Sequence, residues 1–234
     1  MRFPFTAAAV VIYILPLHSL AQSQSASPPT KDSERLVYVI PNNLSVEHPK
    51  AFVPVKARTK FKLSAADAFD PYGFAAAGVN AGAEQAANDH PQYGQGASGY
   101  GKRYGADFAD EATSELLGGG VFPALFHQDP RYFRMEHGGV WKRSWYALTR
   151  SVVTKDDIGE SEFNGSSVLG DYTAASISNL YYPKPDRTFG QTAQRGSILL
   201  LEDSAFNLLK EFWPDVHARL RHRKKQLMET PSPN

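Results

Sequence analysis

From residue 64 onward, apolar and polar positions recur along the chain with a helical period. Asp70-Pro71 reads as an N-cap followed by proline at the first helical position, opening a helix over residues 71–88. That helix is so rich in alanine and glycine that its own pattern does not say which side is buried. Residues 99–117 predict a second helix, with Tyr100, Tyr104 and Phe108 in one column and Lys102, Arg103, Asp110 and Glu111 turned away. Gly118-Gly119-Gly120 ends or bends it, and residues 121–126 read as a short buried segment. Over residues 140–153, Trp141, Trp145, Leu148 and Val152 share one face, with Lys142, Arg143 and Arg150 mostly opposite. Asn164 caps a helix over residues 165–180. Another helix covers residues 191–212, its buried side carrying Ile198, Leu201, Ala205, Leu208, Leu209 and Phe212. Pro214 restarts or kinks the chain into a last helix. The expected class is all-α: a bundle of five or six helices with an extended N-terminal arm.

Small residues repeat at a spacing of four in three places: Gly78, Gly82 and Ala86; Gly101, Gly105 and Ala109; Gly170, Ala174 and Ser178. Each set lines one helical stripe. A glycine inside a helix costs about 0.5–1 kcal/mol relative to alanine, so these stripes predict close packing of one backbone against another. The same spacing occurs in bilayer-embedded helix pairs, but Glu84, Lys102, Arg103, Asp107, Asp110 and Glu111 interrupt the stretches concerned.

The N-terminus changes the picture from fold to address. Arg2, an apolar stretch over residues 3–17 and small residues at Ser19 and Ala21 predict a signal peptide over residues 1–21. Its apolar run is short for a membrane anchor, the alternative. Residues 22–35 are polar and rich in proline and serine, a disordered spacer. Residues 36–63 carry β-branched runs among Pro41, Pro49 and Pro54 and read as an extended arm, before a helical domain over 64–228 and a disordered tail over 229–234. The expected location is the periplasm or cell envelope. The chain has no cysteine, which excludes disulfides and cysteine lipidation. Its 25 basic and 24 acidic side chains include Arg2 in the leader, so the mature chain is formally neutral and no nucleic-acid partner is expected.

Candidate chemistry is sparse. His127, Asp129, Glu136 and His137 gather around Pro130, and His127, Asp129 and His137 are the candidate catalytic set of an envelope hydrolase, possibly metal-dependent. No H-E-x-x-H spacing accompanies them, so no metal site is assigned. The bland alternative has Asp129 capping the Pro130 turn, with Arg131 and Arg134 paired to carboxylates or stacked on Tyr132 and Phe133. The acidic loop over residues 156–162 departs from the EF-hand template and reads as solvated. No G-x-S-x-G or S-x-x-K motif is present, and no cofactor is expected. Arg219, Arg221, Arg223, Lys224 and Lys225 sit at a helix end, where cations meet the dipole. They are also the candidate surface-binding set, for anionic lipid headgroups or an envelope polymer, each contributing about 1 kcal/mol near a charged surface. Trp141, Trp145 and Tyr146 suit the same interface.

The blocks GQGASGYGKRYGADFADE, FPALFHQDPRYFR, RSWYALTRSVVT, FNGSS and ISNLYYPKPDR resemble a group of exported proteins of acidobacterial type, over about residues 65–190. That resemblance implies an exported helical domain and carries no catalytic or binding residue. The function expected is structural or binding, in the cell envelope and peripheral to a membrane; the hydrolase remains the alternative.

Overall fold

A computed structural model describes residues 52–229, together with the short strands at 35–36, 40–41 and 45–46; side chains are described from 52 to 220. The fold is all-α. Helices α1 (Ala57–Ala68) and α2 (Pro71–Ala87) lead to α3 (Gly96–Ser114). A π-helical segment (Glu115–Val121) carries α3 without a break into α4 (Phe122–Phe126). Then follow α5 (Val140–Thr149), α6 (Gly165–Ile177) and α7 (Phe189–Glu229).

Strand content is minor. β1 (Arg35–Leu36) pairs antiparallel with β2 (Ile40–Pro41), and β3 (Ser45–Val46) runs parallel to β5 (Tyr132–Phe133), Ser45 opposite Tyr132. β4 (Gln128–Asp129), β6 (Val153–Asp156) and β7 (Ser161–Phe163) form an antiparallel sheet with Gln128 opposite Asp156 and Val153 opposite Phe163.

Two capping signals act as read. Asp70 accepts from the Tyr72 amide at 2.9 Å with Pro71 behind it, and Asn164 accepts from the Ser167 amide at 3.0 Å. Asn88 closes α2 in the left-handed conformation, with φ of 55°.

Other boundaries differ from expectation. Helix α1 begins at Ala57, so residues 57–63 are helical and do not belong to an arm. Ser64 is buried inside α1, and its hydroxyl donates to the Glu115 carbonyl at 2.7 Å. The three glycines at 118–120 do not end the helix. A Cβ on Gly120 would stand 3.0 Å from Ser64 Oγ, so the bare backbone there lets α1 lie against the π segment. Pro214 lies within α7, which continues unbroken to Glu229. The leader and spacer (1–34) and residues 230–234 of the tail lie outside the described residues, as does most of the arm.

The small-residue stripes divide. On α6, Gly170, Ala174 and Ser178 are all buried, and a Cβ on Gly170 would meet the Gly118 Cα at 2.5 Å. Main chain meets main chain there. At Gly82, Gly101 and Gly105 an added Cβ would meet nothing within 4 Å, and Gly101, Gly105 and Ala86 are exposed. Gly78 faces the Tyr100 hydroxyl, and Ala109 is half-buried. These two stripes do not seat a neighbouring backbone. Helix α2 turns Gly73, Ala77 and Ala81 inward, and α3 turns Gly99, Arg103, Ala106 and Asp110 inward. In each case the buried stripe is the adjacent one on the spiral.

The interior is unusual in what it holds. Its buried apolar residues are mainly alanines, with Tyr132, Phe133, Tyr182 and Leu199. The largest fully enclosed side chains include Arg103, Lys60, Glu211, Asp129 and Asp171. Phe69, Val79, Leu125, Trp141, Trp145, Leu180, Phe189 and Leu201 lie on the outside.

Candidate functional site

Helix α5 shows the inversion most simply. Trp141 is 83 % exposed and Trp145 65 %, with Val140 and Leu148 beside them; Arg143 and Ala147 are the buried residues. The apolar stripe faces outward. Arg143 is drawn inward because α7 offers it a complete set of acceptors: its Nε donates to Glu211 Oε1 at 2.7 Å, one terminal nitrogen to the Glu211 carbonyl and the other to Asp215. Leaving two tryptophans facing water costs less than burying one unpaired guanidinium.

Glu211 is the centre of a satisfied network. Besides Arg143, its carboxylate accepts from the Tyr132 hydroxyl at 2.8 Å and from the Met135 and Glu136 amides at 3.0 and 3.2 Å. Arg134 bonds the Glu211 carbonyl and Asp215. Desolvation pushes the Asp215 carboxyl up, but the hydrogen bonds from Arg143 and Arg134 outweigh it and hold the group below its usual range.

A second set of carboxyls runs along the facing sides of α3, the π segment, α6 and α7. Asp110 accepts from the Tyr182 hydroxyl at 2.9 Å and also from Tyr181. Asn80 donates to Glu202 at 3.0 Å, Ser167 to Asp203 at 2.7 Å, and Ser114 to Asp171. Asp171 is 1 % exposed, yet its Oδ2 has no partner; Asp107 Oδ2 and Glu115 Oε1 are likewise enclosed and unpartnered. Burial, reinforced by Glu84 and Asp110, pushes Asp107 up to about 9. Burial with Glu202 and Asp203 pushes Glu111 up to about 8, and burial with Asp203 pushes Asp171 up to about 9. Glu202 rises to about 7 and Asp110 to about 6, each through burial, with Asp110 restrained by its two tyrosines. Burial therefore favours the neutral form most strongly at Asp107, Glu111 and Asp171.

A third cluster closes the loop between α2 and α3. The fully buried Arg103 donates to the Asp89, His90 and Gly94 carbonyls and to Gln85 Oε1. His90 Nδ1 lies 2.9 Å from Asp186 Oδ2, and its ring packs edge-on against Tyr182.

The candidate hydrolytic set does not assemble. Asp129 is fully buried and bonded to the Arg131 amide and guanidinium, at 3.0 Å and 2.6–3.1 Å. His127 is 82 % exposed and lies 3.7 Å from Asp157, which is paired to Lys60; His137 is exposed on the loop before α5. So Asp129 caps the turn, and Arg131 lies over the Phe133 ring at 5.3 Å. Among the described residues no group of three or more His, Asp or Glu is arranged to hold a metal ion. In the loop over 156–162, Asp156 accepts from the Ile158 and Glu160 amides, making a hairpin turn between β6 and β7. Of the basic set, Arg219 is exposed; the side chains of Arg221, Arg223, Lys224 and Lys225 lie outside the described residues.

Sequence reasoning turned Arg103, Asp110 and Glu111 outward and did not single out Glu211, Asp171 or Asp203. A usable signal exists in α7, where Arg195 and Glu202, and likewise Asp203 and Lys210, stand seven positions apart and so share a helical face. No known protein family, curated protein or solved structure matches this chain.

Proposed function

We propose that this is a non-enzymatic domain of the cell envelope that attaches to a lipid surface through its outward apolar residues, with α5 as the leading contact. The observation that carries the reading is the exposure of Trp141, Trp145 and Leu148 on one stripe of a helix whose opposite side is anchored by Arg143. An exposed apolar stripe held on a rigid base is the arrangement of an interfacial helix, with tryptophans at headgroup level. Lys142, exposed on the same helix, suits anionic lipid, as does Arg219. Among the described residues no helix is long and apolar enough to cross a membrane, which favours attachment over insertion for these elements.

Burying one such tryptophan is worth about 2–3 kcal/mol. The mature chain should float with vesicles containing phosphatidylglycerol, and its tryptophan emission should shift to shorter wavelength on binding. Trp141→Ala with Trp145→Ala should weaken partitioning by at least tenfold. Absence of vesicle binding by the parent, or equal binding by the double variant, would refute the reading. A concentration-dependent dimer that depends on the same tryptophans would replace lipid by a second copy.

A further inference from the structure

We propose that the carboxyl column between α3, the π segment, α6 and α7 is a proton-operated latch, which holds these helices together while its carboxyls are neutral and lets them part when they ionise.

The geometry carries this. Asp171 Oδ2, Asp107 Oδ2 and Glu115 Oε1 are enclosed without a donor, and most of the charges acting on these three groups are those of other carboxyls. A carboxylate cannot donate; a carboxylic acid can. Protonation therefore removes the mutual repulsion and gives each acid a proton to donate. Beside the column α6 packs tightly on the π segment: a Cβ on Gly170 would meet the Gly118 Cα at 2.5 Å. Glu115 is folded over Gly119, where a Cβ would fall 2.5 Å from its Oε1.

The surrounding charges do not balance the column. Asp67 approaches Glu115 from α1, and Glu84 approaches Asp107 and Asp110 from α2. Helix α3 adds Asp110 and Glu111, and α7 adds Glu202 and Asp203. Against them stand Lys210 of α7, facing Glu111, Glu115 and Asp203, and at the other end Arg103, Arg195 and His90. Arg103 is already engaged by four oxygens, and His90 by Asp186. Tyr181 and Tyr182 serve Asp110 as donors, while Tyr72 and Tyr93 feel the same negative field.

The sign follows from linkage. Burial and the neighbouring carboxylates raise the folded-state values of Asp107, Glu111 and Asp171 into the range of about 8 to 9, whereas the unfolded chain has ordinary carboxyls near pH 4. The folded state then holds more protons, so the stability they confer is complete below about pH 4 and is lost as pH rises through about 8–9.

Three measurements test the latch on the mature chain. The thermal midpoint of the parent should fall by about 10 °C or more between pH 5 and pH 9.5. Amide hydrogen exchange at constant intrinsic rate should show that loss of protection first in α3 and α6. Asp107→Asn with Asp171→Asn should flatten the profile and raise the midpoint at pH 9.5. If that variant does not fold, unfolding of the parent in urea at pH 7.5 should release about three protons to the medium. A parent midpoint that is level or rises with pH, a variant profile parallel to the parent's, or no proton release would each overturn the proposal.

Discussion

Two regions of one helix, α7, bury carboxyl groups in opposite ways. At Glu211 the chain supplies an arginine, a tyrosine hydroxyl and two backbone amides to one carboxylate, and a second arginine to its own carbonyl. Two turns upstream, Asp203 and Glu202 receive one neutral donor each, Ser167 and Asn80, and face further carboxyls on α3 and α6. The difference is in what the partner helices contribute. Helix α5 and the loop before it are basic where they touch α7, and α3 and α6 are acidic or hydroxylic. A buried charge that is fully paired becomes a fixed joint; a buried group that is not paired can stay only by remaining neutral. The first region is therefore insensitive to mild alkali, and the second is where the bundle gives way.

The sharpest way to break this comparison is at the joint. Glu211→Ala leaves Arg143, itself buried, facing only Asp215 and a carbonyl. Removing one partner of a buried ion pair costs about 3–5 kcal/mol, which chemical denaturation should report as an earlier midpoint. Asp203→Ala removes a group whose hydrogen-bond donor is the neutral Ser167 hydroxyl and which shares Lys210 with Glu111 and Glu115, so its cost should be much smaller. If the two substitutions cost the same, the distinction between paired and unpaired burial has no energetic content.

The helix contact beside the column comes next. At Gly170 an added Cβ would fall 2.5 Å from the Gly118 Cα and 2.6 Å from its nitrogen, and neither can rotate away. Gly170→Ala must push α6 from the π segment, at about 1–3 kcal/mol for overpacking. Because that separation admits water to Asp171 and Glu115, the variant's stability should also depend less on pH than the parent's. A destabilised variant with an undiminished pH dependence would separate helix contact from latch.

How much of this was legible in the sequence follows from which physical term wins at each site. The helices were readable because periodicity and caps are local: Asp70-Pro71 and Asn164 act as expected. Which face turns inward was not readable, because the usual assumption that apolar means buried fails in this chain. Arg143 and Trp141 sit on opposite sides of α5, and the interior took the arginine, since Glu211, sixty-eight positions away, completes its hydrogen bonds. No window within one helix contains that partner. The candidate hydrolytic residues were drawn together by proximity in sequence, but Asp129 is enclosed by its own Arg131 while His127 points outward. Unevenness among the glycines has the same origin: a stripe of small residues permits close approach, and only a neighbour supplied from elsewhere uses it.

The smallest effect expected separates those two kinds of glycine. Gly105 is exposed within α3, and a Cβ there would meet nothing within 4 Å. Its absence contributes no contact; it only leaves the unfolded chain more freedom to lose on folding. Gly105→Ala should therefore stabilise the protein by about 0.5–1 kcal/mol, a rise of a few degrees in thermal midpoint. The opposite sign from Gly170→Ala, for the same chemical change on helices of one bundle, is the point of the pair. Destabilisation at Gly105 would mean that something packs against that stripe in solution, a second copy or a partner, and the apolar exterior would then have to be reassigned from lipid to protein.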